Sequence, residues 1–196
     1  MRLTERFNNA LLYAARLHAD QFRKGNDSIP YVAHLIGVAS IVLEYGADED
    51  QAIAALLHDA VEDQGGYKQL ELIRQNFGPT VAQIVSDCSD SFDPPKPPWQ
   101  KRKEDYIHHL PQVSPASLLV SCADKIHNVR SIARDYRQMG EALWSHFKGG
   151  RDGTLWYYRA ITSTFQACYN HPIVGELERA VSELELLTSQ GGEKND

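Results

Sequence analysis

The sequence has little of several features that mark particular protein classes. Its three cysteines, Cys88, Cys122 and Cys168, are widely spaced and form no CxxC pair, which argues against a disulfide framework or a zinc-finger pattern. No stretch approaches the roughly 20 apolar residues of a membrane helix, and the first residues, MRLTERFNNALLYAARLHADQF, lack the apolar core of a signal peptide. We therefore expect a cytoplasmic protein whose thiols are reduced.

The net charge is also informative. A value of −6 argues against a nucleic-acid coat and against a basic membrane binder. It leaves room for a phosphorylated small molecule, which needs only a local cluster of cations. We expect no nucleic-acid or membrane partner, and the sequence does not predict an oligomeric state.

Strand signals are almost absent, whereas apolar residues recur at helical spacing. Thr4 and Asp48 are suitable N-caps, Gly46 and Gly78 fit helix ends, and Pro79 fits the first turn of a helix. The stretch KGNDSIP, residues 24–30, is predicted to be a loop. The predicted helices cover about residues 5–23, 31–45, 49–62, 67–78, 79–90, 99–109, 115–137, 151–169 and 172–189.

This pattern predicts an all-α fold, an irregular helical bundle, in a single domain over residues 1–189. A chain of 196 residues can bury roughly 70% of its extended surface and needs no covalent staples. The polar stretch 190–196 is predicted to be a flexible tail.

The segment AALLHDAVEDQGG, residues 54–66, places an imidazole and three carboxylates directly after an apolar run. On one continuous helix, His58 would share a face with Glu62, and Asp59 with Asp63. Burying these anions together is very unfavourable unless a cation neutralises them. Two interpretations follow, a divalent metal site or a solvated acidic helix end.

Two other helices carry polar groups among apolar residues. His34 lies on an otherwise apolar helix, where a histidine is often only a hydrogen-bonded core residue. Within SLLVSCADKIHNVRSI, the residues Asp124, His127, Asn128 and Ser131 form one stripe at helical spacing. Such a stripe is commonly the solvent side, but apolar residues occupy most of this helix, which favours a buried helix with a polar slot.

Together, His34, the His58–Asp59 pair and Asp124 resemble the ligand signature of the HD metal-dependent phosphohydrolases. The order and spacing of four segments are similar to the hydrolase domain of RelA/SpoT-type alarmone enzymes, and the chain resembles a free-standing member like the metazoan SpoT homologue. The resemblance covers about residues 5–135 and implies an HD-domain helical bundle; Leu35 and Lys125 depart from the common pattern. The four segments are HADQFRKGNDSIPYVAHLIGVASIV, ALLHDAVED, FGPTVAQIVSD and CADKIHNVR.

The resemblance implies roles for individual residues. It implies one Mn²⁺ ion per chain, and Glu62 and Asp63 would orient or deprotonate the attacking water. Arg23 and Lys24 would meet the nucleotide, with Asn128 and Ser131 facing its sugar and base. The implied metal ligands are His34, His58, Asp59 and Asp124.

Further cations are candidates to hold the distal phosphates. They are Lys101, Arg102 and Lys103 after the proline-rich loop, together with Lys125 and Arg130. A solvated helix start is the alternative for the KRK run.

We therefore expect Mn²⁺-dependent hydrolysis of the 3′-pyrophosphate of (p)ppGpp-like alarmones, which would leave GDP or GTP. Three other substrates stay open at this stage, namely ppApp, the 2′-phosphate of NADPH and a 5′-nucleotide. A metal-stabilised nucleotide sensor is the alternative that is not an enzyme, although both Glu62 and Asp63 are present, which favours catalysis.

Overall fold

The structure is a computed structural model that describes residues 2–24, 26–92 and 95–191. Helices dominate these residues, as the sequence predicts. The α-helices are α1 (Glu5–Leu17), α2 (Val32–Glu44), α3 (Glu49–Leu57), α4 (Ala60–Gln64), α5 (Gly66–Phe77), α6 (Pro79–Cys88), α7 (Trp99–His109), α8 (Pro115–Met139), α9 (Gly150–Cys168) and α10 (Pro172–Gly191). Short 3₁₀ helices, Leu110–Gln112 and Gly140–His146, follow α7 and α8.

Local sequence signals set several of the helix boundaries. The Thr4 side chain accepts a hydrogen bond from the Arg6 backbone N–H at the start of α1. Asp48 and Gln51 form a reciprocal capping box at the start of α3. Gly78 separates α5 from α6 with a φ of 97°, a conformation that glycine adopts without steric cost.

Helix α8 is the central element of the bundle. It packs against α2, α3, α6, α9 and α10. Because it has neighbours on most sides, polar residues such as Asp124, Lys125, Ser131 and Asp135 are buried along with its apolar residues. The prediction of a buried helix with a polar slot agrees with this arrangement.

The predicted loop at residues 24–30 is partly wrong, because the chain forms a small antiparallel hairpin there. Strand β1 (Phe22–Arg23) pairs with β2 (Asn26–Pro30), and the Tyr31 N–H donates to the Gln21 carbonyl at 2.8 Å. Helix α1 ends at Leu17 rather than near Arg23, and Phe22 and Arg23 belong to the hairpin instead.

The helix predicted over residues 49–62 is two helices rather than one. Helix α3 ends at Leu57 and α4 begins at Ala60. Between them, the backbone of Asp59 has φ −95° and ψ −4°, which lies outside regular α-helical geometry. His58 and Asp59 therefore occupy the junction between two helices.

The C-terminal helices cover the remaining face of α8. Helix α10 reaches Gly191, so residues 190 and 191 of the predicted tail belong to this helix. The rest of that tail, from residue 192 onward, lies outside the described residues. Among the helices of the described residues, none combines the length and the apolarity that crossing a bilayer demands. The assignment of residues 1–189 to one domain stays a prediction.

Candidate metal centre and adjoining cleft

Four side chains from three separate segments converge at the centre of the bundle. His34 comes from α2, His58 and Asp59 from the α3–α4 junction, and Asp124 from the middle of α8. His34 Nε2 lies 3.2 Å from His58 Nε2, 3.4 Å from Asp59 Oδ2 and 3.2 Å from Asp124 Oδ1. His58 Nε2 lies 3.0 Å from Asp59 Oδ2 and 3.5 Å from Asp124 Oδ1. The side chains predicted as ligands therefore form one cluster.

This cluster fits a divalent cation. The His58 Nδ1 lies 2.8 Å from the Ala55 carbonyl oxygen, so Nδ1 carries a proton, and Nε2 is the nitrogen that can offer a lone pair to an ion. Bonds of about 2.1 Å place neighbouring ligands of one ion roughly 3.0 to 3.4 Å apart, close to the separations given above. Ligand atoms of His34, His58 and Asp59 all lie within 4.8 Å of one another, and Asp124 joins this group through its contacts with the two histidines. Two imidazoles and two carboxylates are a donor set that several divalent metals accept.

The charges within the cluster are strongly coupled. Burial works against ionisation of both carboxylates, but the His58 charge lowers the pKa of Asp59, and Lys125 lowers that of Asp124, well below their usual values. Burial likewise opposes protonation of His58, yet the Asp59 charge and hydrogen bonds with the two carboxylates raise its pKa well above normal. The two anions thus require a nearby cation, which is a proton when no metal is bound.

Tyr31 connects the cluster to the hairpin. Its hydroxyl donates to Asp59 Oδ2 at 2.6 Å, and its ring stacks on His18 with centroids 5.3 Å apart. The Arg23 guanidinium lies 5.6 Å from the centroid of the same ring. Burial and the charge of Asp59 raise the pKa of Tyr31 well above its usual value, so the hydroxyl stays a donor. Tyr31 is thus a site residue that is not among the predicted ones.

The acidic pair Glu62 and Asp63 lies beside the cluster on α4. Glu62 Oε1 is 3.4 Å from Lys96 Nζ, and Asp63 Oδ1 is 3.6 Å from the same nitrogen. Gln21 Nε2 donates to Asp63 Oδ2 at 2.8 Å. Glu62 and Asp63 thus have partners in the cleft, and the Asp63 N–H donates to the Asp59 carbonyl at 3.0 Å.

Glu62 also belongs to a second charged network that the sequence analysis missed. Arg102 Nη1 contacts both Asp90 Oδ1 and Glu62 Oε1, the latter at 3.3 Å, and Lys103 Nζ donates to Asp90 Oδ2 at 2.8 Å. Desolvation and the negative charges of Asp90 and Asp59 raise the pKa of Glu62 to about 7. Arg102, predicted to hold phosphate, therefore already has two carboxylate partners.

A cleft of about 530 Å³ opens over these groups. Arg23 Nη2 donates to Asn128 Oδ1 at 2.7 Å, and Asn128 Nδ2 donates to Asp124 Oδ1 at 2.5 Å. Lys24 and Ser131 line the same cleft. The predicted nucleotide residues at the hairpin and on α8 are thus next to one another and next to the predicted ligand Asp124.

The cations predicted for phosphate binding separate into two groups. Lys125 lines the cleft, but its Nζ donates to Asp124 Oδ2 at 2.6 Å. Lys101 and Arg130 do not line the cleft: Lys101 pairs with Asp105 at 2.9 Å on the exposed side of α7, and Arg130 pairs with Glu176 of α10. Adjacent helical residues point about 100° apart, so Arg102 enters the cleft while Lys101 faces solvent.

The remaining wall of the cleft comes from α9 and the segment before it. Tyr157, Tyr158, Thr154 and Lys148 line this side. The Lys103 ammonium lies 4.9 Å from the centroid of the Tyr157 ring. In the sequence, the aromatic residues of LWYYRA, residues 155–160, indicate that this helix could line a pocket, but the same spacing is equally typical of core packing.

Comparison with known proteins gives one family and several similar chains. The model of the HD domain family matches residues 10–155. A Xenopus tropicalis protein named guanosine-3′,5′-bis(diphosphate) 3′-pyrophosphohydrolase MESH1 is 38% identical over 125 residues, which are 62% of this chain and 66% of that protein. The Homo sapiens protein of the same name is 37% identical over 124 residues, with the same coverage. The match thus spans just under two thirds of the length of these relatives.

A solved structure is similar over nearly the whole chain. It belongs to a metazoan orthologue of SpoT that is described as hydrolyzing ppGpp and playing a role in starvation responses. It matches with a TM-score of 0.72 at 27% sequence identity and covers 98% of both chains. The similarity of fold therefore extends to the helices that follow residue 155.

Proposed function

The chain belongs to the HD domain family, and from this premise we propose that it is a metal-dependent hydrolase that removes pyrophosphate from the 3′ position of (p)ppGpp-like alarmones. The products are pyrophosphate and GDP or GTP. The names of the relatives support this substrate class. The observation that carries the proposal is the convergence of His34, His58, Asp59 and Asp124 next to a polar cleft.

In this proposal, those four side chains hold the divalent ion. When bound there, the ion supplies a Lewis acid that lowers the pKa of water and neutralises charge on a phosphoryl group. Mn²⁺ is the ion we expect, one per chain, because a mixed set of imidazole and carboxylate ligands suits it.

Glu62 and Asp63 are proposed to handle the proton of the attacking water. Both carboxylates line the cleft. A base works best when its pKa is near the working pH, and the pKa of Glu62 is raised to about 7. Asp63 is held by Gln21 and Lys96, so it is fixed as an acceptor that orients the water beside Glu62.

The hairpin and α8 are proposed to bind the nucleoside. Arg23 lies against Tyr31 and donates to Asn128. These contacts hold its planar guanidinium at the cleft, where it can stack on a base. Lys24, Asn128 and Ser131 line the same part of the cleft. Lys96, Lys103 and Lys148 add positive charge to the cleft, which favours a substrate rich in phosphate.

A direct test is pyrophosphate release from ppGpp by the metal-free chain, with Mn²⁺ added and with EDTA added. We expect turnover only with Mn²⁺. The Glu62→Gln/Asp63→Asn variant should still bind Mn²⁺ but lose turnover by about 10²–10⁴-fold. Glu71→Gln changes an exposed carboxylate on α5 and is the matched control.

The identity of the substrate is tested by a panel of ppGpp, ppApp, NADPH and a 5′-nucleotide, with identification of each product. Preferential release of pyrophosphate from ppGpp supports the proposal. Preference for another compound would show that the proposed substrate is wrong, but it would be consistent with metal-dependent hydrolysis. Binding of ppGpp without any turnover would instead identify a nucleotide sensor. A cytoplasmic location stays a prediction.

A further inference from the structure

His34 makes a second polar contact on the side of its ring away from the four-residue cluster. Its Nδ1 lies 2.9 Å from Nδ1 of His127, on α8, and the two ring centroids are 4.7 Å apart. His34 is fully buried. Its Nε2 faces His58, Asp59 and Asp124. The orientation of this ring is thus fixed by one hydrogen bond on the side opposite the cluster.

The direction of that hydrogen bond follows from the role of the other nitrogen. For Nε2 to offer a lone pair to a cation, Nδ1 of His34 must carry the ring proton. Nδ1 of His34 then donates to Nδ1 of His127, and the His127 proton lies on its Nε2. A histidine that binds a metal through one ring nitrogen usually donates the N–H of its other ring nitrogen to a carboxylate, a backbone carbonyl or water. Here the acceptor is another imidazole.

Gly37 provides the space that the His127 ring occupies. A Cβ atom at this position would lie 2.3 Å from His127 Cδ2 and 2.4 Å from His127 Nε2, which is far inside van der Waals contact. Gly37 lies within α2, three residues after His34. Glycine is unfavourable inside a helix, so its presence here calls for a packing reason, and the His127 ring supplies one.

We propose that Gly37 and His127 are positioning residues for the metal centre: His127 accepts the Nδ1 proton of His34, and Gly37 leaves room for the acceptor ring. This inference rests on the divalent-ion site of the proposed function. It adds a hydrogen-bond partner and a packing position, neither of which touches the ion or the substrate.

The first test measures Mn²⁺ binding directly, by the electron paramagnetic resonance signal of free Mn²⁺ during titration. His127→Leu removes the acceptor, and we expect the dissociation constant to rise about 10- to 100-fold. His127→Gln keeps an acceptor oxygen and should recover most of the affinity. His108→Leu changes an exposed histidine on α7 and should leave the constant unchanged. Equal Mn²⁺ affinity in wild type and His127→Leu would overturn the proposal.

The second test uses the opposite signs of two effects at Gly37. Helix propensity alone predicts that Gly37→Ala raises the denaturation midpoint. The contact with His127 predicts a lower midpoint and weaker Mn²⁺ binding, because a displaced ring disturbs its hydrogen bond to His34. In a His127→Ala background, Gly37→Ala should instead be stabilising. If Gly37→Ala alone is more stable than wild type and binds Mn²⁺ normally, the proposed role of Gly37 is refuted.

These outcomes are separable from failure of the proposed activity. If wild type binds Mn²⁺ but releases no pyrophosphate from ppGpp, the activity is wrong, and the positioning pair is still judged by the binding constants. If wild type binds no Mn²⁺, the metal site and the positioning pair are both refuted. Circular dichroism confirms that each variant is folded before its affinity is compared.

Discussion

The negative charge of Asp90 should control the pH at which the proposed base Glu62 becomes active. Glu62 has its pKa raised from 4.5 to about 7 by desolvation and then by Asp90 and Asp59, while Lys103 and Lys96 oppose the shift. In wild type we therefore expect kcat/KM to rise with pH through a midpoint near 7, because the base must lose its proton. Asp90→Asn removes one of the two anions and should move this midpoint to lower pH.

The size of the movement can be worked from the geometry. One oxygen of Asp90 and one of Glu62 contact the same Arg102 nitrogen, so these oxygens are no more than about 6 Å apart. Two unit charges at this separation interact by roughly 2.8 kcal/mol at an effective dielectric constant of 20, or about two pH units. Because Arg102 and Lys103 screen the pair, we expect a movement of about one unit.

The assay is kcat/KM for pyrophosphate release from ppGpp between pH 5 and pH 9 at saturating Mn²⁺, values chosen to span roughly two units on each side of the midpoint. Asp105→Asn, which removes an exposed carboxylate on α7, is the control and should not move the midpoint. A slower Asp90→Asn enzyme with an unchanged midpoint would show that Asp90 does not act through its charge. A midpoint that moves upward would contradict the sign of the reasoning.

Three further predictions concern the metal, the nucleoside side and the packing of the cleft wall. Mn²⁺ at 100 times its dissociation constant should stabilise wild type by about 2.7 kcal/mol in urea unfolding, and His58→Ala should abolish this gain. Arg23→Ala should raise KM for ppGpp about tenfold with little change in kcat, because its contact with Asn128 lies on the proposed nucleoside side of the cleft; Arg23→Lys should not restore stacking. Gly149→Ala should lower the free energy of unfolding by about 1–3 kcal/mol, since the new Cβ would lie 2.7 Å from the Trp99 ring; a variant as stable as wild type would contradict this.

Much of the helical architecture could be predicted from local signals. Asp48 caps α3, and Gly78 with Pro79 separates α5 from α6, as the sequence predicts. These boundaries depend on side chains and glycines within a few residues of the helix end, so a sequence pattern contains the information. The helices of the bundle can therefore be predicted from the spacing of apolar residues and from the capping residues, glycines and prolines that interrupt it.

The hairpin and the α3–α4 junction could not be predicted in this way. Strand β2, NDSIP, is rich in turn residues, and its extended form depends on pairing with Phe22–Arg23. The apolar pattern continues through the junction into Ala60 and Val61, so nothing local marks the interruption of the helix there. Both features are set by packing between segments rather than by the segments themselves.

The candidate site shows the same division. The four predicted ligands lie together in space, although their roles stay predictions. Asp90 and His127, in contrast, gain their significance from partners on other elements: Asp90 contacts Arg102 and Lys103 of α7, and His127 contacts His34, 93 residues away. A histidine on a partly apolar helix has several ordinary explanations, and only the distance between the two rings distinguishes them.

Helix α8 fixes a length as well as a set of groups. Asp124, a proposed metal ligand, and Ser131, on the proposed nucleoside side, are seven residues apart on one continuous helix, which corresponds to about 10.5 Å along its axis. This interval cannot stretch without breaking backbone hydrogen bonds. With the proposed roles of Asp124 and Ser131, this fixed interval sets the distance between the scissile phosphate and the base, and we expect a nucleotide with a different distance between them to be a poorer substrate even if both of its ends are chemically correct.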